Sequence, residues 1–254
     1  MEFSPWLLML PLGILALVAA SIKLVRSASV TAASAAIGLL LFVACFLLNS
    51  KPVYLASDPL VGGGNITYLL VQLTFLYAMF CMKVAFLPGS RLSGRSAWAH
   101  LDTWVAFAFA TAITTLFLAS DTPVTAYRVD PYRAHWSVAA YTQLVNIYSA
   151  GCGFLIIQQA SHLVAAPTQT RLRRAGTLAL IAGFAIGVIT AIERLALQAL
   201  LLEESHPTTS TVGAVEGALV AISMLLIVAG FALAFAGHRT TRTPTDARGE
   251  SVAA

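Results

Sequence analysis

Eighteen consecutive residues, Ala175 to Ile192, carry no charge, and three arginines, Arg171, Arg173 and Arg174, stand immediately before them. A helix of that length rises about 27 Å, close to the thickness of a bilayer's hydrocarbon core. Comparable runs recur along the chain, and short polar connections separate them. The spacing predicts spans at Trp6 to Val25, Val30 to Leu48, Ile66 to Leu87, Trp98 to Ala119, His135 to Val164, Arg171 to Leu202 and Thr211 to Ala236. The expected fold is an all-α, polytopic membrane bundle of seven transmembrane helices. Residues 1–237 form that membrane domain, and 238–254 form a disordered cytoplasmic tail rich in Arg, Thr and Ala.

Composition supports the same reading. The chain is 58% hydrophobic and 10% charged, against about 25% charged residues in a soluble domain. Its net charge of +4 comes from arginines placed between apolar runs, so it reports topology and not a nucleic-acid surface. Cys45, Cys81 and Cys152 all fall inside apolar segments without metal or redox spacing, and they read as small core residues. The first run has no basic segment ahead of it and reads as a retained helix, with Pro11 as a kink.

Between the second and third spans, the stretch from Asn49 to Gly64 mixes turn formers with a short apolar piece and predicts an ordered surface loop. Gly62, Gly63 and Gly64 have no lysine in phosphate-loop register, so they read as flexibility ahead of the third helix. Asp102 sits near the start of the fourth span, where a carboxylate suits the helix dipole, and a capping role is expected over a proton relay. Gly183 and Gly187 form a small-residue pair on one helix face, and Gly151 and Gly153 offer a second close approach.

Orientation follows from the basic residues. Lys23, Arg26, Lys83, Arg91, Arg95, Arg171, Arg173, Arg174, Arg239, Arg242 and Arg248 fall on one side, and Lys51, Arg128 and Arg133 on the other. The positive-inside rule then puts the N-terminus outside and the C-terminus in the cytoplasm of a multi-pass cell-membrane protein.

On this topology the intramembrane polar residues gather in the outer half: Tyr68, Gln72, Gln143, Asn146, Glu193, Arg194, Gln198 and Glu216. They are the candidate ligand-binding residues of an outward-facing polar cavity. An intramembrane charge costs about 2.5 to 3.5 kcal/mol on insertion scales, so such residues find partners or an interface. Glu193 and Arg194 are therefore either buried in that cavity or held at the outer surface, and Arg194 is expected to meet Glu216. The seventh span has no lysine for a retinal cofactor, and no serine-protease or zinc-ligand set is assembled. No enzyme, cofactor or metal is expected.

Pro52, Asp58 and Asn65 in the outer loop, with the basic turn before the sixth helix, give roughly residues 5–237 a resemblance to the membrane region of an uncharacterised actinobacterial family that carries a transporter label. The Ala- and Arg-rich composition also looks actinobacterial. Members of that family continue into a cytoplasmic domain, whereas a short tail follows here. Two functions are weighed. One is a receptor-like protein that binds a small molecule and signals to a cytoplasmic protein partner; the other is a small-solute transporter or transporter subunit. An enzyme acting on a lipid lacks an assembled catalytic set. The lipid bilayer is a partner in every case.

The topology is open to direct test. Cysteines placed between Arg91 and Arg95 should react only from the cytoplasmic side, and the Asp121 to Arg133 loop should be protected from that side. The reverse pattern would invert the orientation.

Overall fold

The computed structural model describes residues 30–86, 97–120, 122–127, 132, 135–166, 169–200 and 210–239. The expected first span, Trp6 to Val25, and the tail beyond Arg239 lie outside the described residues. The order is α1 (Val30–Leu48), a short α2 (Lys51–Ser57), a 3-10 turn (Asp58–Val61), α3 (Ile66–Phe86), α4 (Ala97–Leu118), α5 (Trp136–Ala165), α6 (Arg171–Leu200) and α7 (Ser210–Arg239). Among the described residues there is no strand, and six helices are long and apolar enough to cross a membrane. The chain is thus an all-helical protein of multi-pass membrane type. Six of the seven expected spans are present among the described residues.

Lipid offers no partner to a backbone N–H or C=O, so an apolar run of this length closes its hydrogen bonds within itself as a helix. The 19 residues of α1 rise about 28 Å and just match the hydrocarbon core, while the 30 residues each of α5, α6 and α7 rise about 45 Å and pass beyond it. Large apolar side chains remain exposed, among them Trp104 at 67%, Ile189 at 63% and Phe154 at 62%, and on spanning helices these are the lipid-facing surface.

Packing runs as a row. α1 lies on α3, α3 on α5, α5 on α6 and α6 on α7, with α4 lodged against α3 and α5. Helices in lipid gain little from apolar burial alone, so close backbone approach through small residues takes over. The α6–α7 seam shows this most clearly. A Cβ added to Gly176 would fall 2.5 Å from the backbone nitrogen of Ala234, and one on Gly183 would fall 2.8 Å from the carbonyl oxygen of Ser223. Ser223 donates from Oγ to the Gly183 carbonyl at 2.8 Å across the same seam. Gly183 thus has the packing role its spacing implied. Of the second pair, Gly153 meets Val188 of α6, whereas Gly151 faces open space.

Two substitutions separate these roles. Gly176→Val should destabilise by about 3 kcal/mol or more, because overpacking against backbone has no flexible side chain to displace. Gly151→Val should be near neutral in the same detergent melting experiment.

Candidate functional site

One end of the bundle, the outer one on the expected topology, is built on Asp58 and Asn65, both fully buried. Gly62, Gly63 and Gly64 all take positive φ, and Asn65 follows in the left-handed region at φ 64°. Consecutive positive φ values suit glycine, which has no Cβ to clash, and asparagine is among the few other residues that visit this region readily. The tight turn brings the backbone N–H groups of Asn65 and Thr67 onto the Asp58 carboxylate at 3.0 and 2.8 Å, and Thr125 Oγ1 donates to it at 2.5 Å. Asp58 therefore holds the start of α3, a position the helix dipole favours for a carboxylate. The three glycines build this ordered turn, which corrects the expectation of flexibility. Their backbone is held by the bonds that fix Asp58 and Asn65.

Asn65 clamps the second outer loop. Its Nδ2 donates to the Val124 carbonyl at 2.9 Å, and its Oδ1 accepts from the Ala126 N–H at 2.8 Å and from Tyr54 Oη at 3.1 Å. Tyr127 Oη donates to the Asn49 carbonyl at 2.9 Å, and its ring stands edge-on to Tyr54. These bonds place residues 49–65 and 122–127 at the same end of the bundle, as alternating spans require.

Beneath this cap, Tyr68 of α3 is buried with its ring 6.0 Å from that of Tyr141 on α5, and Phe117 of α4 packs on Tyr141 from the other side. Gln72, one turn below Tyr68, and Gln143 are half-buried. Asn146 is buried, and its Nδ2 has no hydrogen-bond partner among the described residues. These side chains of α3 and α5 do not all face one interior. Asn146 lies five residues after Tyr141, which turns it about 140° around α5. That direction is within about 20° of Gly153, which touches Val188 of α6. Tyr68 belongs to the α3–α4–α5 interior, and Asn146 to the α5–α6 interface.

Glu193 and Arg194 are both exposed. Their helix runs antiparallel to α5, and Gly153 lies opposite Val188, so seven residues back Asn146 comes level with the segment around Glu193. Glu193 stands nine residues beyond Phe184, about 180° around α6 from the face that meets α5. Level and direction are separate matters, and Glu193 shares only the first with Asn146. The side chains of Gln198 and Glu216 lie outside the described residues.

The other end holds a group that sequence reading misplaced. Lys83, counted with the connecting loop, lies inside α3 with its side chain 5% exposed, and its Nζ is 3.2 Å from Asp102 Oδ1 on α4. Asp102 is past the first turn of α4 and is an ion-pair partner, which corrects the capping expectation. The clue was a lysine within four residues of the end of an apolar run, facing an aspartate near the start of the next. A shallow groove of about 290 Å³ opens between α3 and α4, lined by Leu73, Tyr77, Phe107, Ala110, Thr111, Thr114 and Thr115. Thr114 and Thr115 donate to carbonyls one turn earlier, Ala110 and Thr111, so the groove shows mainly apolar surface. Among the described residues no cluster of His, Cys, Asp and Glu could hold a metal ion.

No family model matches the chain, and neither the curated proteins nor the solved structures include one similar to it.

The cap makes its own prediction. Asp58→Ala strands two buried backbone donors and should cost at least about 3 kcal/mol. Proteolysis within residues 122–127 should rise with it, because Thr125 loses its anchor. Unchanged melting and unchanged cleavage would show that the outer loops are held by other means.

Proposed function

We propose that this membrane protein binds a small polar ligand in the outer half of its bundle and passes the bound state to a cytoplasmic partner, in the manner of a receptor. The N-terminus is outside and the C-terminus in the cytoplasm. The reading rests on the orphaned Asn146 Nδ2 at the α5–α6 interface. A buried amide donor without a partner costs roughly 1 to 3 kcal/mol, and a ligand carbonyl or carboxylate oxygen would recover it. Gln143 lies one turn nearer the outer surface and supplies a second amide toward the same end. The ligand expected is therefore small and rich in acceptors. The basic residues flanking the inner helix ends, with Arg171 and Arg173 exposed at the start of α6, support both the orientation and a cytoplasmic docking face.

A melting screen of small carboxylates and amides against the detergent-purified chain tests this. A true ligand at a hundred times its Kd should stabilise the wild type by about 2.7 kcal/mol. Asn146→Leu, which removes the orphan donor, should melt no lower than wild type without ligand and should lose the ligand's effect. Equal stabilisation of both proteins would overturn the site. Uptake of the same solute by proteoliposomes would replace the receptor reading with transport.

A further inference from the structure

Besides Asn49 Oδ1 and Gln169 Oε1, which lie outside the long helices, two more buried polar atoms are left without partners among the described residues, and both lie on the opposite side of α5 from Asn146. They are the hydroxyls of Tyr141, 0% exposed, and Tyr148, 5% exposed. Seven residues separate them, so they share one face of α5 and stand about 10.5 Å apart along its axis. Their rings are held from α3 and α4: Tyr141 by Tyr68 and Phe117, and Tyr148 by Phe109 at 5.1 Å. One turn further along the same face is Cys152, whose thiol is a weak partner within reach of the Tyr148 hydroxyl and leaves its regular hydrogen bonds unmade. It and Tyr148 lie within electrostatic reach of Asp102, and Cys152 also within reach of Lys83.

A lysine ammonium carries three donors, and Asp102 Oδ1 occupies one of them. Burying such a head group is tolerated only where its remaining hydrogen bonds are supplied. The Lys83 side chain is 5% exposed, whereas that of Asp102 is 34% exposed, so the pair has an enclosed member and an open one. Orphaned hydroxyls in line with a half-open ion pair need the same thing, a small molecule that both donates and accepts. Water meets that need in polar interiors, making about three hydrogen bonds where it is trapped.

We propose that a file of internal water enters beside Asp102 at the inner end of the bundle and runs between α3, α4 and α5 past Tyr148 to Tyr141. About three waters at hydrogen-bond spacing span the distance between the two hydroxyls. Asn65 takes the hydroxyl of Tyr54 at the outer end, and the clamp on residues 122–126 closes the file there. The file is therefore a blind shaft, open to one side of the membrane. It lies across α5 from the Asn146 site and does not depend on a ligand there.

Hydroxyl-radical footprinting of the full chain in nanodiscs reads bound water directly, because radicals formed in trapped water oxidise the side chains beside it. Tyr141 and Tyr148 should lose their protection and oxidise on the order of Tyr77, which is 42% exposed, while Phe42 at 4% and Phe184 at 3% stay protected. Tyr141 and Tyr148 as protected as Phe42 would overturn the file. A second readout uses a variant that conserves the ring. Tyr148→Phe should lower the melting temperature if the hydroxyl is bonded to water, and a raised one would mean that a dry orphan had been removed.

Discussion

Inside a bilayer a polar group has only the protein, or water the protein lets in, as a partner. That constraint explains the main features of this chain. It forces the apolar runs into helices that close their own backbone bonds. It also accounts for the end where non-helical backbone lies between α2 and α3: Asp58 accepts the N–H groups of Asn65 and Thr67, and the Asn65 amide accepts from Ala126 N–H and donates to the Val124 carbonyl, tying the segment to the loop at 122–127. The glycines there are needed for geometry: three positive φ values in succession turn the chain back so that one carboxylate reaches both donors.

The same constraint sets the packing. Without apolar burial to drive association, α6 and α7 approach until glycine faces backbone, and Ser223 adds a hydrogen bond across the seam. Contact this close leaves no space between the two helices along the Gly176 to Gly183 stretch. Any polar interior must then lie on the looser side of the row, around α5, which touches α3, α4 and α6. Tyr141 Oη, Asn146 Nδ2 and Tyr148 Oη, three of the buried atoms without partners among the described residues, are on that helix.

Much of the fold was legible because a hydrophobic run records its own ends. The expected Val30 to Leu48 coincides with α1, and the bounds of α3 to α7 fall within a few residues of those read from the run ends and turns. The candidate layer was legible in height only. Depth along a helix can be counted from the sequence, but direction around it depends on which neighbour lies where, and that is settled by packing between distant segments. Hence Tyr68 and Asn146, read from the sequence as one layer, stand about 7.5 Å apart in depth and face different interfaces, and Glu193 comes level with Asn146 while facing away. Lys83 was lost for a related reason. A lysine four residues from a helix end looks like a loop charge when charges are counted. Only the approach of α4 shows that it points inward to Asp102 instead of reaching for headgroups.

The two ends of the α3–α4–α5 layer are therefore opposite in kind. The end at Asp58 and Asn65 uses a carboxylate and an amide whose bonds are supplied by backbone and hydroxyl groups, and Tyr54 beneath them is fully buried. At this end the Asp58 carboxylate and the Asn65 amide are bonded within the protein, while the buried Asn49 Oδ1 has no partner among the described residues. The other end uses an ion pair at 3.2 Å with one member a third exposed. Fixed charges beside an opening hold water, and water within the layer lowers the cost of polar atoms further in. The proposed file and this cap together would give the same three helices a covered end and a hydrated one. The cap on Asp58 and Asn65 covers that layer at the end away from the Lys83–Asp102 pair.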